Sequence, residues 1–587
     1  MTQFAAPIFM VEDIQFISGP NSGITGIPST YETSSAGGIV NFVSKKATEE
    51  PLTRYRQTFS GQGSLGEYLD ISRRFGKDNA WGIRINTEIL NGETSIANNN
   101  INAQGIFMNL DHRDAKSTSN LLIGYRHLDI KGGARWFSLQ SSAIGKAITK
   151  VPNAPDASKD YGFDGLEKES EGYIMAFNHE QKMNNTWKWF FNAGMNDNKL
   201  QKNIIGASSN FVIINDQGDV KNNLMSTQTV TKNYYVQLGM SGKFKTGAVS
   251  HDLTMAVDKA WHSISGAKNM YNDGSMGSVG GNIYTGIYGE NVKFPGIETG
   301  LSSKDQYLGL SVADTLKYKK MQILVGLHKH SASVNSYNKI TEKVTQSVDS
   351  DALCPTYGIV YQPTEHVSLY ASHSENFDKG TIVASKYLNA GAILNPAKTK
   401  QNELGVKYQN AGYLISLGIF DIQQANNIDV QTDKGLLLTQ DGEQTYKGVE
   451  LSINGKLAPK WNFMGGMMYL NAKQSKTQGG TNDGLTVNGV AKWNAVAALE
   501  YNPDAKFSII GRALYTGKAP IFNEKLQVPA YVTFDFGVNY TTKINNTPVT
   551  FSAMCYNVTN KNYWTAYGNN LILSVPRTLM ISANFKF

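Results

Sequence analysis

Cysteine is nearly missing from this chain: Cys354 and Cys555 are the two among 587 residues. They lie too far apart in sequence for a CxxC metal site, and two thiols make no disulfide framework. Charged residues are few, at 18% against the ~25% usual in soluble domains. Proline is scarce too, at 16, so proline-rich and collagen-like architectures are excluded. No apolar run reaches the ~18 residues that a membrane-crossing helix needs, which rules out a polytopic helical membrane protein. The 55 basic and 48 acidic residues leave a net charge of +7. They are spread along the chain without a basic patch, which argues against a nucleic-acid partner. Residues 1–15 carry no basic n-region, sustained apolar core or small-residue cleavage site of a secretory signal.

Chemistry-bearing constellations are lacking as well. No Ser-His-Asp, Cys-His or paired-carboxylate arrangement is visible, so no enzyme is expected. Of nine histidines, only His328 and His330 share a strand face, and no carboxylate or cysteine stands at ligand spacing beside them. Neither a metal site nor a protein-held cofactor is expected. The glycines of Gly19-Pro20 and Gly37-Gly38 are followed by no phosphate-loop or dinucleotide fingerprint. Their reading is structural: turns with positive φ and close backbone packing.

What the chain does have is aromatics and alternation. Aromatics reach 11%, with 29 Tyr, beside 56 Gly; disorder wants the opposite. Val532, Phe534, Phe536, Val538 and Tyr540 alternate with Thr533, Asp535, Gly537 and Asn539. Val449, Leu451 and Ile453 alternate with polar neighbours, as do Leu579, Ile581, Ala583, Phe585 and Phe587. Period two sends each set to its own strand face. About 22 such segments run from Thr53 to Phe587, a number known for plugged outer-membrane barrels. Short turns follow Gly76, Asp114, Asn184, Lys245, Tyr361, Asn410, Leu457 and Tyr501. The intervening connections are mostly long: 132–167, 200–226, 265–303, 378–399 and 426–442. Short turns on one rim and long loops on the other make the outer-membrane pattern.

The expected fold is therefore all-β: a transmembrane antiparallel β-barrel of about 22 strands over 52–587, with Val532, Phe534 and Phe536 facing lipid. Residues 1–51 read differently, as a small α/β element. They offer a strand-like stretch from Phe9 to Ile17, a turn-rich loop, then Gly37-Gly38-Ile39-Val40-Asn41 entering a second apolar strand closed by Lys45 and Lys46. An empty barrel of this size would be a wide pore, so this piece is expected in the lumen as a partial plug. Arg135, Trp136 and Phe137 fall in one long loop, and Tyr271, Tyr284 and Tyr288 in another. Aromatics beside a guanidinium suit an organic, anionic chelate through stacking and charge. Loop packing or an interfacial aromatic girdle would use the same residue types, and both readings stay open here.

These residues resemble the TonB-dependent receptors of the siderophore class. That family closes its plug with V-E-x-I-E-V-x-x-G-P, a glycine-rich turn, and G-G-x-I-N-x-V-T-K. This chain has Val11-Glu12 through Gly19-Pro20, then Gly37-Gly38-Ile39-Val40-Asn41 to Lys45-Lys46. Gly448-Val449-Glu450-Leu451 is similar to the family's G-V-E-L strand. Tyr556-Asn557-Val558-Thr559-Asn560-Lys561-Asn562-Tyr563 is similar to its N-L-x-N-x-x-Y motif, and Pro576-Arg577-Thr578 before terminal Phe587 to its closing strand. Ser374-Glu375-Asn376-Phe377 and Asn402-Glu403-Leu404-Gly405-Val406-Lys407 fit as well. The resemblance spans essentially the whole chain, in the family's order. It implies a monomeric receptor in the outer membrane of a Gram-negative bacterium, among outer-membrane lipid and lipopolysaccharide. It implies uptake of a ferric siderophore, gated by ligand and energised by the TonB complex, with iron arriving inside the ligand. Family members carry a TonB box and more plug before the V-E-x-I strand, whereas this chain starts almost at that strand. The chain as written is therefore expected not to perform energised uptake; a passive porin-like channel or a non-transporting surface receptor is the alternative.

Overall fold

The computed structural model describes residues 7–18, 38–205, 210–269, 274–378, 381–383, 387–390, 392–394, 397–432 and 435–587. Gly19, Pro20, Gly37 and Tyr271 lie outside the described residues. Twenty-two strands pair antiparallel, each with its sequence neighbour, from Leu52–Ser60 round to Thr578–Lys586. The last strand then pairs with the first, Arg54 opposite Lys586 and Ser60 opposite Met580, and the barrel closes.

The period-two pattern becomes two wall surfaces. Phe534 and Phe536 are 48% and 50% exposed on the outside, while Thr533 and Asp535 between them are each 6% exposed. Val532, Val449, Leu579 and Ile581 share the outer surface. The inner surface is polar and hydrogen-bonded. Arg512 donates from Nε to Asp535 at 2.7 Å, and Asn178, Asn192 and Gln237 make a ladder at 2.8 Å per step. His328 and His330 face inward and stack at 3.9 Å, both buried. Among the described residues no group of three His, Cys, Asp or Glu could hold a metal ion.

The loop reading of 426–442 is corrected. Its two strands, Tyr413–Thr432 and Gly435–Ala458, stay paired past an irregularity after Asn426, up to Thr432 opposite Gly435. Gln423, Gln424, Asn426 and Asn427 carry no apolar alternation, because a ribbon rising above the lipid band has no greasy face to present. Backbone pairing persists through that polar stretch to Ile428 and Val430, which alternate with Asp429 and Gln431. The connection 268–298 likewise contains a hairpin, Ser278–Asn282 with Gly286–Glu290.

The N-terminal segment docks on the inner wall. Val11–Ser18 pairs antiparallel with Gly38–Ser44, Gln15 opposite Asn41, and a single 3-10 turn, Ile8–Met10, precedes them. Phe9 packs edge-on against Phe107 at 5.5 Å and beside Tyr68. Phe107 is inward, since its neighbour Ile106 is half exposed on the lipid side. The room for Phe9 comes from Gly105, where an added Cβ would stand 3.0 Å from the Phe9 ring. At Gly82 a Cβ would meet Ala47 at 2.5 Å.

Charge then fixes the segment. Arg84 grips Asp70 bidentately at 2.7 and 2.8 Å and donates to the Lys46 carbonyl at 2.9 Å. Lys45 reaches the same Asp70 at 3.1 Å, and Glu12 reaches Arg84 at 3.3 Å. Arg74 pairs with Asp111, which accepts from the Ala47 amide, and Arg113 holds Glu49. At the far end of the hairpin, Phe16 and Ile17 line a space with Tyr370, Glu403 and Glu450 of the opposite inner wall. The segment therefore crosses the lumen.

Arg84→Ala would leave Asp70 buried with Lys45 alone, and breaking one partner of a buried pair costs about 3–5 kcal/mol. The expected result is release of 38–51 from the wall with the barrel intact. Trypsin should then cut at Lys45 and Lys46 much faster than in the parent, while heat-modifiable gel mobility is unchanged.

Candidate functional site

Among the described residues, six connections on the long-loop rim fold into one cap: 132–166, 210–221, 274–298, 476–492, 517–530 and 557–577. Their centre is a four-stranded sheet. Trp136–Leu139 lies parallel to Phe211–Ile213 on one side and antiparallel to Asn570–Leu573 on the other, and Trp564–Tyr567 completes it. Loops several hundred residues apart in sequence thus share one hydrogen-bonded sheet. Phe137, Phe211, Ile213, Ile283 and Leu571 are fully buried beneath it, with Trp564 beside them. Polar ties cross between loops. The Trp564 indole donates to the Pro152 carbonyl at 2.8 Å, the Ala157 amide to Asn562 Oδ1 at 3.1 Å, and the Leu573 amide to the Arg135 carbonyl at 3.0 Å.

The sequence-derived candidates separate within this cap. Phe137 is a core residue: Phe211, Trp564 and Tyr161 surround its ring at 5.3, 5.1 and 6.2 Å, and it offers no surface to a ligand. Arg135 points into the cap, where its Nη2 donates to the Ala157 carbonyl. Burial pulls its guanidinium down to about 10, while the carboxylates of Asp160 and Asp156 oppose that fall. It remains a cation at neutral pH, and Asp160 accepts from the Gly133 amide at 2.8 Å on the same loop. Arg135 organises the loop it belongs to. Trp136, its sequence neighbour, projects to the other sheet face and meets Tyr567 edge-on at 5.5 Å. Tyr567 is 62% exposed.

Tyr284 and Tyr288 sit on the hairpin of the 268–298 connection, Tyr284 in its turn and Tyr288 opposite Gly280, and both are exposed. Tyr284 donates to the Asn153 carbonyl at 3.0 Å, and burial of part of its ring raises its phenol above the ordinary value. The stretch 153–157 therefore touches both sets, through Tyr284 at one end and Arg135 at the other. Tyr567 was missed by sequence reasoning, since nothing local distinguishes it from the chain's other tyrosines. Of the plug motif, Gly38 opens the second lumen strand with φ of 118°, and Asn41 donates to Gln15 across the pair at 2.9 Å.

A closed 22-strand wall, a folded segment laced inside it and a packed cap on the long-loop rim together define a plugged outer-membrane receptor. The chain belongs to the TonB-dependent receptor family: the family described as TonB dependent receptor-like, beta-barrel, matches residues 109–558. It is 28% identical to a ferrichrome receptor of Yersinia enterocolitica, FcuA, over 98% of this chain and 76% of that protein. It is 24% identical to PiuA of Acinetobacter baumannii, a probable TonB-dependent siderophore receptor, over 99% of this chain and 82% of the relative. Among solved structures it superposes on BauA, the ferric preacinetobactin receptor of Acinetobacter baumannii. The TM-score is 0.90 at 25% identity, covering 99% of this chain and 86% of that one.

Replacing Phe137 by Ala should cost about 3–5 kcal/mol as a core cavity. Because that core joins six loops and not the wall, the loss should show as faster proteolysis of the cap. The barrel's melting transition should stay where it is.

Proposed function

We propose that this protein takes up a ferric siderophore across the outer membrane of a Gram-negative bacterium. The observation that carries the reading is the cap: a rigid, cross-linked set of loops presents Trp136 with Tyr567 and Tyr284 with Tyr288 above a lumen that already holds a folded segment. Rigid aromatics present a large contact surface at small entropic cost, and their faces suit the planar or cationic parts of a chelate. Family membership and the likeness to ferrichrome and preacinetobactin receptors support it. Iron enters as cargo within the ligand, so the protein supplies shape and charge and holds no cofactor.

The division at 51/52 gives the parts their roles, with 1–51 as plug and 52–587 as barrel. In the full-length family the TonB complex supplies the work, and here the Arg84–Asp70 lock is what such work would open. The receptor acts as a monomer among outer-membrane lipid and lipopolysaccharide. A passive porin is disfavoured by the lacing of 45–49 to the wall, since a pore has no use for an obstruction held by five charged groups.

Trp136→Ala and Tyr284→Ala should each weaken binding of the cognate chelate by about 1 to 3 kcal/mol if they form the contact centre. Equilibrium titration against a panel of ferric siderophores, hydroxamate and catecholate, reads this directly. Unchanged affinity in both variants across a panel that the parent binds would assign these aromatics to packing.

A further inference from the structure

Arg135 is turned back onto its own loop, and its charge stays inside the cap. Two other cations stand at the mouth of the lumen. Along the strands Glu167–Lys182 and Trp187–Ile205 the even-numbered residues face inward, as Asn178 and Asn192 do in the inner amide ladder. Near the top of that face Lys168 and Lys202 stand directly opposite one another, and Lys202 is in turn opposite Thr227. All three are half-buried. Leu166, two residues before Lys168, and Ile205, three after Lys202, already belong to the cap's core. The lysines therefore lie where the cap joins the lumen.

Like charges directly opposite on one sheet face repel, and partial burial strengthens the repulsion over its value in water. The charged group that acts on Lys168 is the Arg126 guanidinium, and the one that acts on Lys202 is Lys168, so neither is paired with an acid among the described residues. The inward acids on either side are engaged. Glu88 holds Arg126 at 3.0 Å, Asp305 accepts from Ser303 at 2.7 Å and from Tyr307 at 3.3 Å, and Asp258 lies 3.9 Å from His328. Glu167, Glu169 and Asp129 belong to the opposite strand face, where Glu167 accepts from Asn203 at 3.0 Å and Glu169 stands opposite Asp129. The fold itself has no need of the two cations, since Ile130 and Leu200 beside them on the inner face are apolar.

We propose that Lys168 and Lys202, with the Thr227 hydroxyl beside them, bind a ferric chelate of net negative charge at the mouth of the lumen. The inference rests on the reading of this protein as a chelate receptor and adds the class of chelate. An ammonium donates and never accepts, and a threonine hydroxyl can donate as well. Three adjacent strands thus present a row of donors across two strand spacings, roughly 10 Å. Such a row suits a ligand whose periphery is anionic oxygen. Catecholate and carboxylate donors leave their ferric complexes negative, whereas three hydroxamates cancel the charge of the iron. A bound anion relieves the repulsion between the two lysines, and an uncharged complex leaves it standing. The lysines thus select among chelates by charge.

Equilibrium titration of the detergent-purified receptor at low salt tests this, with a trianionic ferric tris-catecholate, ferric citrate and an uncharged ferric tris-hydroxamate as probes. The parent should bind one of the two anionic complexes about ten-fold or more tightly than the uncharged one. That preference should shrink as salt is raised, and the complex that is held tells catecholate from carboxylate. Lys168→Gln combined with Lys202→Gln should reduce the preference about ten-fold, while Lys168→Arg combined with Lys202→Arg keeps it; heat-modifiable mobility verifies that each barrel is folded. An unchanged preference in the Gln variant would overturn the site. A parent that binds the hydroxamate as tightly as either anion would overturn the assignment of charge and leave the chelate-receptor reading in place. A parent that binds none of the three would overturn that reading, and this inference with it.

Discussion

The constraint on which this structure depends is that a bilayer core offers no water to an unpaired backbone group. Each orphaned N–H or C=O there costs several kcal/mol, so a sheet crossing lipid must have no edge. Closure of Leu52–Ser60 on Thr578–Lys586 follows from that alone. Closure in turn creates an inside, and the inside must be filled or it is a pore. The inner wall is polar because it meets water and a folded segment, and that polarity supplies the acids and arginines that hold the segment. The lock of Arg84, Asp70 and Lys45 is thus a consequence of closing the barrel.

The lock also explains why the lumen segment is held so differently from the cap. Charge-assisted bonds to Asp70 and Asp111 are directional and few, and they sit at one wall, so a modest displacement breaks them together. The cap's contacts are hydrophobic, numerous and distributed over six loops, so no single displacement undoes them. The proposed function uses this asymmetry: a ligand-facing side would keep its shape while the lumen segment lets go. A buried ion network adds little net stability over an apolar one, but the stretch it holds, 45–49, can be released while Phe9 stays packed against Phe107.

How much of this was legible in the residues differs by location. Strand number, the lipid-facing set of Val532, Phe534 and Phe536, and the rim carrying long loops all follow from hydropathy, because lipid enforces the alternation. Above the band lipid no longer enforces it, and there the reading of 426–442 as a loop failed although its backbone stays paired. The cap was the least legible part. Arg135, Trp136 and Phe137 are consecutive, yet a strand sends Trp136 outward to Tyr567 and Phe137 into the core, while Arg135 is turned back onto the Ala157 carbonyl. Composition marked the triplet as aromatic and cationic; only the pairing of Trp136–Leu139 with a strand more than 400 residues later assigns each its side. The wall's ion pairs were invisible for the same reason, since Asp70, Arg84 and Asp111 become neighbours through register.

If the cap binds the chelate as proposed, the same reasoning says where specificity would reside. Residues on the wall are bound by closure and alternation, so they can vary only within a face. Loop residues escape both constraints, but here they acquire a third, the shared core of Phe137, Phe211, Ile283 and Leu571. What remains free to vary is the set that projects from the cap without supporting it: Trp136, Tyr567, Tyr284 and Tyr288. Tyr284 is the least free of them, because its hydroxyl is tied to the Asn153 carbonyl. Discrimination between chelates is therefore expected to follow Trp136, Tyr567 and Tyr288, the positions where the fold asks least of the side chain.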